Sequence, residues 1–255
     1  VNPDLQLALE LADAADALTM RSFQSNFAVR TKEDRTPVTE VDEAVERAIR
    51  ERLARERPGD GIVGEEFGAV VADASSAGQS DRHHRWIIDP IDGTKNFIRG
   101  IPMFATLIAT DDVGVVSAPA LHRRWWASRG EGAFCNGRAI RVSNVADLAN
   151  AQFCFHDIAS FELAGLGAQF FALARGCARA SAPSDFWSHM LVAEGAAEIA
   201  IDVGVKLWDM AAIKVIVEEA GGRFSDLRGE RRADGGSGVS TNALLHDAAL
   251  AAMQV

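Results

Sequence analysis

The chain has 255 residues, of which 48% are hydrophobic and 24% charged, with a formal net charge of −10. Such a chain can bury a sizeable core, as one large domain or two smaller ones sharing an interface, and its composition excludes whole-chain disorder and fibrous repeats. The negative field argues against nucleic acid or an anionic membrane as partner, so a phosphate-bearing ligand must be held by cations or backbone amides placed locally.

The opening stretch VNPDLQLALELADAADALTM sets Leu5, Leu9, Ala12, Ala15 and Leu18 at helical spacing. With acids and no basic region ahead of its apolar residues, it reads as an amphipathic helix and not a signal peptide. A second helix is predicted in TPVTEVDEAVERAIRERL, where Val41, Val45, Ala48, Ile49 and Leu53 share a face and Thr39 with Asp42 forms an N-terminal capping box. GIVGEEFG reads as a short strand ending in a glycine-bounded turn, and residues 69–85 as an exposed loop carrying no chemistry.

Short apolar segments at 86–89, 104–110, 113–118 and 125–128 then predict a meandering sheet. Beyond Val142 the pattern alternates: helices near 161–175 and 186–195, strand EIAID, helix 208–220, strands RFSDL and GVSTN, and a last helix. The expectation is two α/β halves, 1–144 and 145–255. Cys135, Cys154 and Cys177 are odd in number and widely spaced, which suits a reducing compartment and makes cytoplasm the expected location. No apolar run approaches the ~20 residues that span a bilayer.

The acids beside turns are the chemically suggestive residues. Glu65 and Glu66 lie between Gly64 and Gly68, Asp89 and Asp92 flank Pro90, and Asp209 starts the helix that follows Trp208. Taken singly, each fits a solvated loop charge, a strand terminator or an acid complementing a helix dipole. Taken together, they are oxygen donors on separate elements, as a hard cation such as Mg²⁺ requires. Pro90 biases Asp89 toward extended backbone, and a turn there lets both aspartates point to one side with the Ile91 carbonyl between them. Gly93 and Thr94 then open a short helix whose free amides suit an anion. GGSGVSTN lacks the lysine of a P-loop, and the histidines show no metal spacing.

GEEFG, WIIDPIDGTKNF and LWDMAAIKVIVEEAGG, in that order and preceded by KEDRTPVTEVD, resemble the signature segments of the inositol monophosphatase family of Mg²⁺-dependent, lithium-sensitive phosphatases. The resemblance spans nearly the whole chain. It implies an α/β (α+β) fold, a layered αβαβα sandwich with the site in the cleft between halves, and a homodimer. It also implies two or three Mg²⁺ ions held by Glu65, Asp89, the Ile91 carbonyl, Asp92 and Asp209. Phosphate would meet Asp92, Gly93, Thr94 and Lys95, while Glu65 and the Thr94 hydroxyl orient or deprotonate the attacking water. Asp42 would stand behind Thr94 or share a third metal; it equally fits its capping role.

Within that family, TKNFIRGIPMFATLIA and VVSAPALHRRWWASRGEGAF are similar to bacterial histidinol-phosphate phosphatases. This implies L-histidinol phosphate as substrate, with Ser184, Asp185 and Asp202 at the alcohol group. The chain departs from that pattern at SAPSDFWSH, where Ser181, Ser184 and His189 replace Arg, Gly and Tyr; either Arg179, two residues upstream, substitutes for the missing arginine or the substrate differs. It departs again at Asp202, where Glu is usual, and at CFHD, residues 154–157. Inositol 1-phosphate or another small sugar or nucleotide phosphate remains an alternative, as does a catalytically weak phosphate-binding regulator.

Overall fold

The computed structural model describes residues 2–33, 36–70, 84–183 and 185–254. The first half runs α1 (Pro3–Ser22), a hairpin of β1 (Val29–Thr31) and β2 (Pro37–Thr39), and α2 (Glu40–Glu56). It continues through β3 (Gly61–Gly64), β4 (Gly68–Val70), β5 (Arg85–Asp92), α3 (Thr94–Ile98), β6 (Ala105–Ala109), β7 (Val113–Ala118), β8 (Arg123–Ser128), β9 (Gly132–Cys135) and β10 (Arg138–Ile140). The second half runs β11 (Gln152–Phe155), α4 (Ile158–Leu163), α5 (Gly167–Gly176), β12 (Arg179–Ser181), α6 (Asp185–Ala193) and β13 (Ile199–Val203). It ends with α7 (Leu207–Glu219), β14 (Arg223–Ser225), β15 (Ser237–Thr241) and α8 (His246–Met253).

Among the described residues, β3 to β10 form an eight-stranded sheet ordered β10-β9-β8-β7-β6-β5-β3-β4, and β11 to β15 a five-stranded sheet ordered β12-β11-β13-β15-β14. Four cores glue five layers together, one of them packing Val192 of α6 on Cys154 and Ala200 of the smaller sheet. Leu11, Val45, Ile49 and Leu53 of α1 and α2 pack on Ile88, Ile108 and Val115. Phe186 of α6 and Ile213 and Ile216 of α7 cover the opposite face at Leu107, Val116 and Trp125. Phe161, Phe170 and Leu250 of α4, α5 and α8 cover Phe153, Ile199 and Ile201 of the smaller sheet. The result is the αβαβα sandwich. Because the large sheet is covered on both faces, all six residues of β7 are buried, and the strand is apolar except at Ser117.

Sheet direction places the functional ends. β3 and β5 are parallel neighbours, and so are β11 with β12 and β11 with β13. Open α/β sheets bind ligands outside the carboxyl ends of such strands. Glu65 leaves β3 there, with its amide on the Ile88 carbonyl at 3.2 Å, while His156 and Asp157 leave β11 and Asp202 lies near the end of β13.

Several local expectations are corrected. The strand starting near Trp86 does not stop at Asp89 but runs to Asp92. Asp89 faces Leu107 and Asp92 faces Ala105, so three steps on β5 match two on β6. This bulge, and not a turn, brings Asp89 and Asp92 to the same side, where a regular strand would oppose them. The Pro90 carbonyl is satisfied by the Thr106 hydroxyl at 2.8 Å. The helix expected over 161–175 is two helices, broken at Gly165 with φ +73°. Of the expected 69–85 loop, Ala69, Val70 and Arg85 belong to strands, and residues 71–83 lie outside the described part of the chain.

Candidate active site

A cavity of about 230 Å³ is lined by Glu65, Asp89, Ile91, Asp92 and Asp209, together with Gly93, Thr94 and Lys95. Residues scattered from 65 to 209 therefore meet at one place. Each is held by a local device. The GEEFG turn is fastened by Glu46 of α2, fully buried, whose carboxylate accepts the Glu66 amide at 2.7 Å and the Phe67 amide at 3.2 Å while pairing with Arg50 at 2.7 Å. Gly64 is required there, since a Cβ on it would lie 2.1 Å from Glu46 Oε1. Gly93 sits at φ +84°, and a Cβ on it would lie 2.7 Å from the Met103 carbonyl oxygen.

The Thr94 hydroxyl reaches the Ile91 carbonyl at 2.9 Å and Asp42 Oδ1 at 3.3 Å. Asp42 is fully buried, and its other oxygen accepts the Thr39 amide at 2.8 Å and closes the capping box of α2. Asp209 Oδ2 accepts the Lys206 amide at 2.7 Å at the start of α7.

The electrostatics of this end are strained. Burial, followed by the charges of Glu65, Asp92 and Asp209, holds the Asp89 carboxyl well above the usual range. Burial and then Asp185 and Asp209 do the same to Asp92. Burial pushes Asp209 up to about 7 and Asp42 up to about 6. Among the described residues no three His, Cys, Asp or Glu side chains form a group with metal-site geometry. The positive charge that Glu65 meets is Lys32 Nζ at 2.7 Å, which also bonds Glu66 at 2.8 Å. Burial opposes the lysine's charge, but these two hydrogen bonds outweigh it and raise its pKa. The donor set fits a hard divalent cation: it is all oxygen, and buried Asp89 Oδ1 has no hydrogen-bond partner among the described residues.

A second cavity of about 530 Å³ adjoins the first, sharing Asp92, Lys95, His156, Asp185 and Asp209. Its far wall carries Asp157, Asp202 and Leu163. Asp202 is held at both oxygens, by the His156 amide at 2.8 Å and by His189 Nε2 at 3.1 Å, and His189 Nδ1 meets Ser240 Oγ at 2.7 Å. His189 and Ser240 are fully buried, so this Ser-His-Asp chain supports Asp202 and does not meet solvent.

Set beside known proteins, residues 1–254 match the model of the inositol monophosphatase family. The chain belongs to that family. It is 48% identical to a histidinol-phosphatase of Mycobacterium tuberculosis, over 97% of this chain and 96% of the relative, and 45% identical to one of Streptomyces coelicolor, over 96% and 94%. A solved inositol monophosphatase from Zymomonas mobilis superposes with a TM-score of 0.85 at 30% identity, covering 99% of this chain and 98% of that one. The inositol monophosphatase fold thus accounts for the whole chain, and the chain is a phosphoric monoester hydrolase.

Arg179 is exposed at the amino end of β12 and lines neither cavity. Ser184 lies outside the described residues. Asp185, Asp202 and Lys95 all line the cleft. Sequence reasoning missed Glu46, Lys32 and Asn96, whose Nδ2 bonds Asp185 at 2.9 Å. Glu46 carried a signal, an acid four residues after Asp42 on the apolar face of α2, whereas Lys32 and Asn96 carried none.

Proposed function

We propose that the chain is a Mg²⁺-dependent phosphatase that hydrolyses L-histidinol phosphate to L-histidinol and phosphate, serving histidine biosynthesis in the cytoplasm as a homodimer. The observation that carries this reading is the continuity of an all-oxygen cation end with an alcohol end lined by Asp157, Asp185 and Asp202. Three carboxylates suit an alcohol bearing an ammonium and an imidazole better than a neutral polyol. Whole-length similarity to histidinol-phosphatases supports the same substrate. Among the described residues, no helix is long and apolar enough to cross a membrane.

Glu65, Asp89, the Ile91 carbonyl, Asp92 and Asp209 would hold two or three Mg²⁺ ions, which lower the pKa of water and stabilise the charge that develops on phosphoryl oxygens. The Gly93 and Thr94 amides and Lys95 bind the phosphate. Glu65 and the Thr94 hydroxyl, backed by Asp42, orient the attacking water and take its proton. The water oxygen forms the new bond to phosphorus as the bond from phosphorus to the alcohol oxygen breaks, in line and without a phosphoenzyme. Phosphate release assayed with Mg²⁺, with EDTA and with added Li⁺ tests the chemistry. Release that needs Mg²⁺ and is inhibited by Li⁺ is expected; undiminished release in EDTA contradicts it.

A further inference from the structure

His156 occupies a position that the proposed chemistry leaves without a role. Its ring lies between two acids, with Nδ1 3.0 Å from Asp185 Oδ1 and Nε2 3.1 Å from Asp157 Oδ2. Its backbone amide holds Asp202 Oδ1 at 2.8 Å. One residue thus touches every carboxylate of the alcohol end. The acids are also fixed from behind: Asp157 caps α4 through the Ser160 amide at 2.8 Å, Asp185 receives Asn96 at 2.9 Å, and Asp202 rests on His189.

We infer that His156 is a positioning residue for substrate specificity, spanning Asp157 and Asp185 so that the alcohol end presents fixed carboxylates to a phosphomonoester whose alcohol is cationic. The inference rests on the substrate reading given above. Without the imidazole the acids keep only their ties from behind, and Asp157 and Asp185 would turn apart in water, because like charges repel and ordering costs side-chain entropy. The imidazole opposes both effects with paired hydrogen bonds. The bond to Asp185, working against burial, raises its pKa to about 9, so the ring carries a proton on each nitrogen near neutrality. Among the described residues this cavity sets His156 and Lys95 against Asp92, Asp157, Asp185, Asp202 and Asp209, so its acids outnumber its cations. A cationic alcohol is still attracted, and a neutral one gains nothing.

The test measures kcat and KM for L-histidinol phosphate and for glycerol 2-phosphate, a neutral-alcohol ester, in the wild type, His156→Ala and His156→Asn with Mg²⁺ present. The alanine variant is expected to raise KM for histidinol phosphate about 10-fold with kcat within about 3-fold, and to leave KM for glycerol 2-phosphate within about 2-fold. Asparagine, whose amide nitrogen can replace Nδ1 toward Asp185, should recover part of that loss. Equal losses on both esters, or none on either, overturn the role of His156 while leaving the substrate reading intact. A wild type that does not prefer the cationic ester overturns the substrate reading itself, and the inference with it.

Discussion

Asp92 Oδ2 accepts the Phe186 amide at 2.7 Å, so the acid that ends β5 also caps the first turn of α6. Asn96 adds a second tie, from the helix after Gly93 to Asp185. The cation end, which takes all but Asp209 from the first half of the chain, is thereby clamped to the alcohol end, built in the second. Asp92→Asn keeps an oxygen for the Phe186 amide but removes a charge from the cation end. It is expected to lower kcat at least ~100-fold with the fold retained, as is Glu65→Gln. Phosphate-release kinetics alongside circular dichroism checks this, and unchanged turnover in both variants contradicts the assigned roles.

The crowded carboxyls also predict a trade of stability against function. Asp89 is 2% exposed and held above its usual pKa by burial and neighbouring charge, so its ionised form works against the folded state. Asp89→Asn should raise the Tm of the metal-free protein at pH 8 while abolishing activity. Mg²⁺ should raise the Tm of the wild type and leave that of the variant nearly unmoved, because only a bound ligand shifts the folding equilibrium. Differential scanning fluorimetry with and without Mg²⁺ reads both effects.

Thr94 separates hydroxyl chemistry from packing. Its Oγ1 lies between the Ile91 carbonyl and Asp42. Thr94→Ser keeps that oxygen and should retain kcat within about 10-fold, while Thr94→Val should lose about 100-fold. Equal activity of the two variants would show that the hydroxyl takes no part.

A stability prediction lies away from the cleft. His246 is fully buried, its Nε2 2.9 Å from Ser225 Oγ and its Nδ1 3.0 Å from Thr241 Oγ1, and burial lowers its pKa to about 4. The folded value lies below the unfolded value of about 6.5, so between these the unfolded chain takes up a proton that the folded chain refuses. The contribution is complete above pH 6.5 and is lost as pH falls toward 4. Urea midpoints from pH 7 to pH 4 should decline in the wild type and decline less in His246→Gln.

Much of the cleft was legible because its residues lie in contiguous segments whose types are dictated by local chemistry. Gly93 must be glycine at positive φ, and Asp92 and Asp209 sit where elements begin or end. What the residues did not disclose was geometry set by pairing partners. The bulge in β5 exists only against β6, and β1, β11 and β12 are too short to carry a periodic signal. Arg179 lies only two residues from Ser181 but at the amino end of β12, where it lines neither cavity. His156 stood out only as a departure, and its meaning depends on acids one and 29 residues away in sequence.

The central claim is that this cleft hydrolyses the phosphate of a cationic alcohol. The most direct measurement is kcat/KM for phosphate release from L-histidinol phosphate, inositol 1-phosphate and 3′-phosphoadenosine 5′-phosphate by the wild-type protein with Mg²⁺. The account predicts that L-histidinol phosphate is preferred over both by at least ~100-fold, or about 2.7 kcal/mol of transition-state stabilisation. Comparable or greater kcat/KM on inositol 1-phosphate would contradict it.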